Sequence, residues 1–168
     1  MIKIINNFFE KNQYDKVINH IKSNIYFTPR FFYNTNEKTE KNYYGDRFVL
    51  EEDKNLYNLF KKQAEKKFKL KINKTNDSGI DLRNLNIWQP HTDSNNSKIN
   101  ILIMLDGPVG VTTGTCFFTD DEIDIHVGFR PNRAVMFPSD YYHSPHKSDL
   151  KSMRRYTATL FVTEYEEV

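Results

Sequence analysis

Cysteine occurs once in this chain, at Cys116, so no internal disulfide can form and the cytoplasm is the expected compartment. Net charge is nearly absent. The 24 Lys and Arg face 22 Asp and Glu, which removes the electrostatic case for a nucleic-acid footprint. No apolar run approaches the ~20 residues of a membrane span. The longest, Ile101 to Leu105, suits a buried strand. The N-terminus lacks the basic n-region and apolar core of a signal peptide. No internal repeat and no interdomain linker is visible. One domain over 1–168 is therefore expected, with helical support in 1–70 and a β-core over about 80–162.

What the chain does hold is aromatic bulk, thirteen Phe and ten Tyr, which supplies core volume in a small protein. Its richness in Asn, Lys and Ile is the mark of an AT-rich genome, bacterial or viral, so the cytoplasm in question is a bacterium's or a host's. Tyr14, Val17, Ile18 and Ile21 fall at helical spacing and predict a helix from Asn12 that stops at Asn24. Leu56, Leu59, Phe60 and Ala64 make the stripe of a second helix, from Glu51 to about Lys67, with carboxylates at its start. Met1 to Phe9 reads as a short strand and a turn, Ile25 to Tyr33 is aromatic and broken by Pro29, Asn34 to Asn42 reads as a loop, and Tyr43 to Leu50 as a strand reaching back to the core. Alternation then replaces helical spacing. Strands are expected at Phe68 to Ile72, Leu82 to Trp88, Ile99 to Leu105, Gly114 to Phe118, Ile123 to Val127, Ala134 to Phe137 and Arg155 to Val162. Two helices followed by many short strands predict an α+β domain. Its expected core is a jelly-roll-like sandwich or barrel with the helices on one sheet.

The residues able to do chemistry concentrate in two places. His91 and Asp93 stand two apart, so on a strand they point an imidazole and a carboxylate the same way. A second histidine would complete a set of two nitrogens and one oxygen that leaves an octahedral iron(II) three open positions. Both His143 and His146 can supply it, and His143, at the end of a strand and turn, is the favoured one. His126 falls in an acidic hairpin and His20 in the first helix, and both read as outside the site. In the last strand Arg155, Thr157, Thr159 and Phe161 share one face, while Tyr156, Ala158, Leu160 and Val162 share the other, apolar one. The first face is too polar for a core and predicts a cavity. There the planar fork of Arg155 would grip a carboxylate. Arg154 has the opposite parity.

This pattern resembles the iron(II)- and 2-oxoglutarate-dependent dioxygenases, in particular their small prolyl-hydroxylase-like members. The matching residues are His91-x-Asp93, Gly114-x-x-Phe117-Phe118, Pro131 to Ser139 with His143, and Arg155-Tyr156-Thr157. They span about half the chain. Two features depart from the family's habit. Asn132-Arg133 stand in a turn that often holds glycine, and Arg155 follows His143 at an interval of twelve positions. The resemblance implies a double-stranded β-helix, with Fe(II) held by His91, Asp93 and His143. It also implies 2-oxoglutarate as co-substrate, held by Arg155 with help from Thr157 or a nearby tyrosine, and O2 as oxidant. The product would be a hydroxylated protein side chain, amino acid or small metabolite. Trp88, Tyr141 and Tyr142, close to these residues in sequence, are candidates to line the substrate mouth. Two rival readings share the scaffold: a module without catalysis, and a cupin-like metal protein that does not use 2-oxoglutarate.

Overall fold

In the computed structural model, which describes residues 1–33, 41–84, 89–95, 97–110, 112–146 and 154–168, the two amphipathic stripes become helices lying on a large sheet. Strand β1 (Lys3–Asn6) leads into α1 (Lys11–Asn24), which buries Val17 and Ile21. Strands β2 (Thr28–Tyr33) and β3 (Lys41–Val49) precede a 3-10 turn at Leu50–Glu52 and helix α2 (Lys54–Phe68). One face of α2 buries Leu56, Phe60, Ala64 and Phe68. Each buried phenylalanine contributes about 1.5–3 kcal/mol relative to an exposed one. Neither helix is long and apolar enough to cross a membrane.

The start of α2 is set by Asp53, whose Oδ1 accepts the N–H groups of Asn55 (3.1 Å) and Leu56 (3.0 Å), donors that have no partner within the helix. The bond from Leu56 leads in holding the Asp53 carboxyl below its ordinary value, against some desolvation. Replacing Asp53 with alanine should cost about 1 kcal/mol, measured by urea unfolding at neutral pH. Because the folded state lowers this pKa, the contribution is present above the ordinary carboxylate value and is lost as pH falls through the lowered one. The difference between variant and wild type should therefore vanish in acid.

Among the described residues, the elements that follow α2 are strands: β4 (Leu70–Thr75), β5 (Gly79–Asn84), β6 (Ile99–Asp106), β7 (Gly114–Thr119), β8 (Glu122–Gly128), β9 (Arg133–Pro138), β10 (His143–Pro145) and β11 (Arg154–Glu167). They form two antiparallel sheets. The larger has the order β1-β9-β6-β11-β5-β3-β2, with β4 also paired to β11, and the smaller has the order β10-β7-β8. This is a double-stranded β-helix core with helices on its larger sheet. Period-two alternation sorts the residues of the larger sheet between two cores. Ile101, Ile103, Ala134, Ala158 and Leu160 face α1 and α2, where Phe60 and Ala64 meet them. Met104, Val135 and Phe137 face the smaller sheet, against Phe117 and Val127. Both faces of β6 are covered, which is why it reads as an unbroken apolar run.

Two local outcomes differ from the sequence expectation. Pro29 does not interrupt a strand but sits within β2, the edge of the larger sheet, where a missing N–H leaves no ladder bond unmade. The strand expected over Leu82 to Trp88 begins earlier and is seen at Gly79–Asn84; 85–88 lie outside the described residues. The strands expected within Met1 to Phe9 and Tyr43 to Leu50 are found as β1 and β3, which with β2 form the edges of the larger sheet. The turn at Asn132 does form. Asn132 takes a φ of 63°, which asparagine tolerates, and its amide bonds Phe9 twice, at 2.8 Å each, tying the N-terminal segment to the sheet.

Candidate metal centre and anion site

His91 and Asp93 lie just ahead of β6, and β10 delivers His143 beside them. The two histidines exchange backbone hydrogen bonds, each N–H donating to the other's carbonyl at 2.9 Å, and the Asp93 N–H donates to the Ser139 carbonyl at 2.8 Å. The backbone thus clamps both segments before any side chain acts. One ligand atom from each of His91, Asp93 and His143 lies within 4.8 Å of the others. Nε2 of His143 is 3.4 Å from Asp93 Oδ2, and Nε2 of His91 is 3.8 Å from Oδ1.

The partners behind these ligands orient them. Nδ1 of His91 is 2.9 Å from the Gln89 carbonyl, and Nδ1 of His143 is 2.9 Å from the Tyr141 carbonyl. A carbonyl only accepts, so each Nδ1 carries the proton and each Nε2 presents its lone pair to the site. Asn100 donates to Asp93 Oδ2 at 2.7 Å and accepts from Ser97 Oγ at 2.7 Å. Phe117 and Phe137 wall in the His143 ring, with centroids at 6.1 and 4.8 Å.

Charge states follow from these contacts. Burial pushes His91 down, and His143 adds to that, so its imidazole stays neutral. Burial would raise Asp93, but the neighbouring His143, then His91 and the Asn100 amide, outweigh it and hold the carboxyl below its ordinary value. A neutral imidazole and an ionised carboxylate are the ligand forms a metal needs. Two imidazoles and one carboxylate with open positions beside them fit iron(II).

The cluster opens into a cavity of about 280 Å³ between the sheets, lined in part by Leu102, Thr115, Phe137, Arg155, Thr157 and Thr159. Arg155 is 4% exposed. Its Nη1 donates to the Gly114 carbonyl at 2.9 Å, its guanidinium lies 5.8 Å from the Phe129 ring centre, and its Nε is buried with no hydrogen-bond partner. Burial, aided by Arg83, pushes its pKa down to about 9. A buried cation with an orphaned donor fits the carboxylate of a bound acid.

No protein-family model and no curated protein matches the chain. Solved structures do. The chain is similar to the non-heme alpha ketoglutarate dependent epimerase SnoN from nogalamycin biosynthesis, at 10% identity and a TM-score of 0.64, over 99% of this chain and 77% of that one. It is similar to an oxidoreductase of the 2OG-Fe(II) oxygenase family from Burkholderia pseudomallei, at 10% identity and a TM-score of 0.63, over 98% and 84% of the two chains. It is also similar to a prolyl hydroxylase from Trichoplax adhaerens, solved with a hypoxia inducible factor oxygen degradation domain peptide. That match has 13% identity and a TM-score of 0.57, over 96% and 83%. The fold is that of the 2OG-Fe(II) oxygenases.

Within this oxygenase fold the residues singled out from the sequence are distributed unevenly. His91, Asp93 and His143 form the cluster, and Arg155 and Thr157 line the cavity it opens into. His146 stands apart. Its ring packs on that of His126, with centroids 5.0 Å apart, and its backbone N–H donates to the Gly114 carbonyl. His126 Nε2 meets the Thr113 carbonyl at 2.8 Å, and His20 lies 3.4 Å from Asp53. Tyr141 and Tyr142 are 37% and 40% exposed and are not among the residues lining the cavity. The Tyr141 hydroxyl accepts from the N-terminal amine, and Tyr142 packs on Phe118. Trp88 lies outside the described residues. Sequence reasoning missed Asn100, although an amide within a run of apolar strand residues was a visible signal, and it missed Arg30, Arg47 and Arg83 on the cavity wall and Asp81, which bonds Arg47.

Proposed function

We propose that the chain, as one domain over 1–168, is an iron(II)- and 2-oxoglutarate-dependent oxygenase. It hydroxylates a C–H bond of an amino acid, a protein side chain or a small metabolite. The observation that carries this reading is a histidine-carboxylate-histidine cluster and a buried, under-bonded arginine facing one cavity. When bound, iron(II), 2-oxoglutarate and O2 supply an oxidative decarboxylation, to succinate and carbon dioxide, whose second oxygen atom goes to the substrate.

The chain's own part is positioning and shielding. His91, Asp93 and His143 would hold the metal, their orientation set by the Gln89 and Tyr141 carbonyls and by Asn100. Arg155 would hold the far carboxylate of 2-oxoglutarate, with the Thr157 hydroxyl beside it. Leu102, Phe137 and Phe161 exclude water from the same cavity, which strengthens each charged contact inside it. The expected result is release of succinate from 2-oxoglutarate by the purified protein with iron(II) and ascorbate, even without substrate, and loss of that release on chelation. Tight iron(II) binding without any 2-oxoglutarate turnover would instead favour a cupin-like metal protein.

A further inference from the structure

The larger sheet carries a row of arginines across four neighbouring strands. Arg155 on β11 is paired in register with Arg83 on β5, Arg83 with Gly45 on β3, and Gly45 with Arg30 on β2. Neighbouring strands lie about 4.8 Å apart, and like charges directly opposite each other repel. Arg30, Arg83 and Arg155 all line the cavity described above. Gly45 keeps the row open. It takes a φ of +147°, and a Cβ there would stand 2.6 Å from the Leu82 carbonyl oxygen and 3.3 Å from Arg83 Cγ.

The next row brings in the countercharge. Arg47 is paired in register with Asp81, and its Nη1 bonds both carboxylate oxygens at 3.1 and 3.0 Å. Arg83 takes Asp81 Oδ2 as well, at 3.0 Å. Asp77, 64% exposed, lies 3.6 Å from Arg47. Among the described residues, then, Arg47 and Arg83 share Asp81, and Arg47 has the help of Asp77. Arg30 makes none of these contacts, and its Nε is buried without a hydrogen-bond partner.

This surplus exceeds what the proposed co-substrate neutralises. Iron(II), Asp93 and the 2-oxoglutarate dianion together leave one negative charge, which Arg155 matches. Among the described residues, Arg47 and Arg83 meet carboxylates at Asp77 and Asp81, and the Arg30 guanidinium, on the wall away from Arg155, meets none. Resting on the oxygenase reading, we propose that the substrate carries an oxyanion, a carboxylate or a phosphate ester, which Arg30 binds with Arg83 beside it. A second anion subsite on β2 and β5 thus orients the substrate across the cavity from the co-substrate arginine.

The test separates this subsite from the oxygenase reading. Metal-free protein is titrated calorimetrically with inorganic phosphate, and separately with acetate, in Arg155→Met, Arg30→Gln and doubly substituted forms. Arg155→Met should retain an oxyanion site, and adding Arg30→Gln should weaken it about tenfold to a hundredfold, the scale of a charge-assisted hydrogen bond. Arg30→Lys in the same background should restore part of the affinity, which a folding defect would not. An affinity indifferent to Arg30 would overturn the proposal. The comparison of phosphate with acetate ranks the two anion types. In the active protein, amino acids and phosphate esters that stimulate succinate release should outperform their amides and neutral alcohols at least tenfold in half-saturating concentration, and Arg30→Gln should erase that preference. Equal stimulation by the neutral congeners would also overturn it. Absence of succinate under every condition would count against the oxygenase reading alone, since the phosphate titration still decides the subsite.

Discussion

Replacing Asp93 with alanine should abolish iron-dependent succinate release, with a loss of at least about a hundredfold, since even the partners of metal ligands typically contribute ten- to a hundredfold in affinity or activity. Asp93 supplies the only carboxylate of the cluster, and its partners are committed to holding it: the backbone to Ser139, Asn100 to Oδ2, and both imidazoles beside it. His91→Ala should have an effect of similar size. His146→Ala should leave metal binding intact, because that ring packs on His126 away from the cluster. Manganese(II) titration by calorimetry provides a readout independent of turnover. Unchanged manganese affinity in Asp93→Ala would sink the ligand assignment. The same titration has a defined pH dependence. Burial lowers the His91 pKa from its ordinary value, so protons should compete with the metal for this ligand only at a pH below that value. The Asp93 carboxyl, held below its ordinary value, should compete at still lower pH.

Arg155→Met should raise the KM for 2-oxoglutarate by about tenfold to a hundredfold, the worth of a charge-assisted hydrogen bond. It should also make the ligand-free protein more stable. A base whose folded pKa is depressed costs stability wherever the unfolded chain is protonated. For Arg155, pushed down to about 9, that cost is complete at neutral pH and is relieved only as pH rises from about 9 toward the ordinary arginine value. Methionine removes the charge and keeps most of the volume. The Gly114 carbonyl, which Arg155 now shares, still accepts the His146 N–H at 3.0 Å. Thermal unfolding without ligand should thus give a higher midpoint for Arg155→Met than for wild type. 2-Oxoglutarate should raise the wild-type midpoint and leave that of the variant nearly unmoved. A variant that melts lower, or that still responds to 2-oxoglutarate, would show that Arg155 serves the fold and not the co-substrate.

The two helices were legible because each presents a stripe at helical spacing, and the stripe must be covered. Tyr14, Val17, Ile18 and Ile21 all pack against the core that α1 covers. β6 was legible as a buried run. β2 was not, because Pro29 reads as a breaker until the strand is known to be an edge. β10, with only three residues, is too short for a period to show. Within the site, Asn100 stood out as an amide in an apolar run, but nothing near it in sequence pointed to Asp93, and the wall arginines had no local signature. Arg30, Arg47 and Arg83 look like ordinary surface charges until β2, β3 and β5 are laid side by side.

The sequence by itself determined what depends on one strand or one helix. The parity of β11 is the clearest case. Arg155, Thr157, Thr159 and Phe161 line the cavity, and Ala158, Leu160 and Val162 enter the apolar core, because consecutive side chains on a strand must point to opposite faces. Only the tertiary structure decided what depends on register between strands distant in sequence. It is the His91–His143 bridge that brings His143 beside Asp93 and leaves His146 with His126. The pairing of β11, β5, β3 and β2 likewise places Arg155, Arg83 and Arg30 in one row. Such pairings are set by the summed packing of whole sheets, and no single stretch of chain contains them.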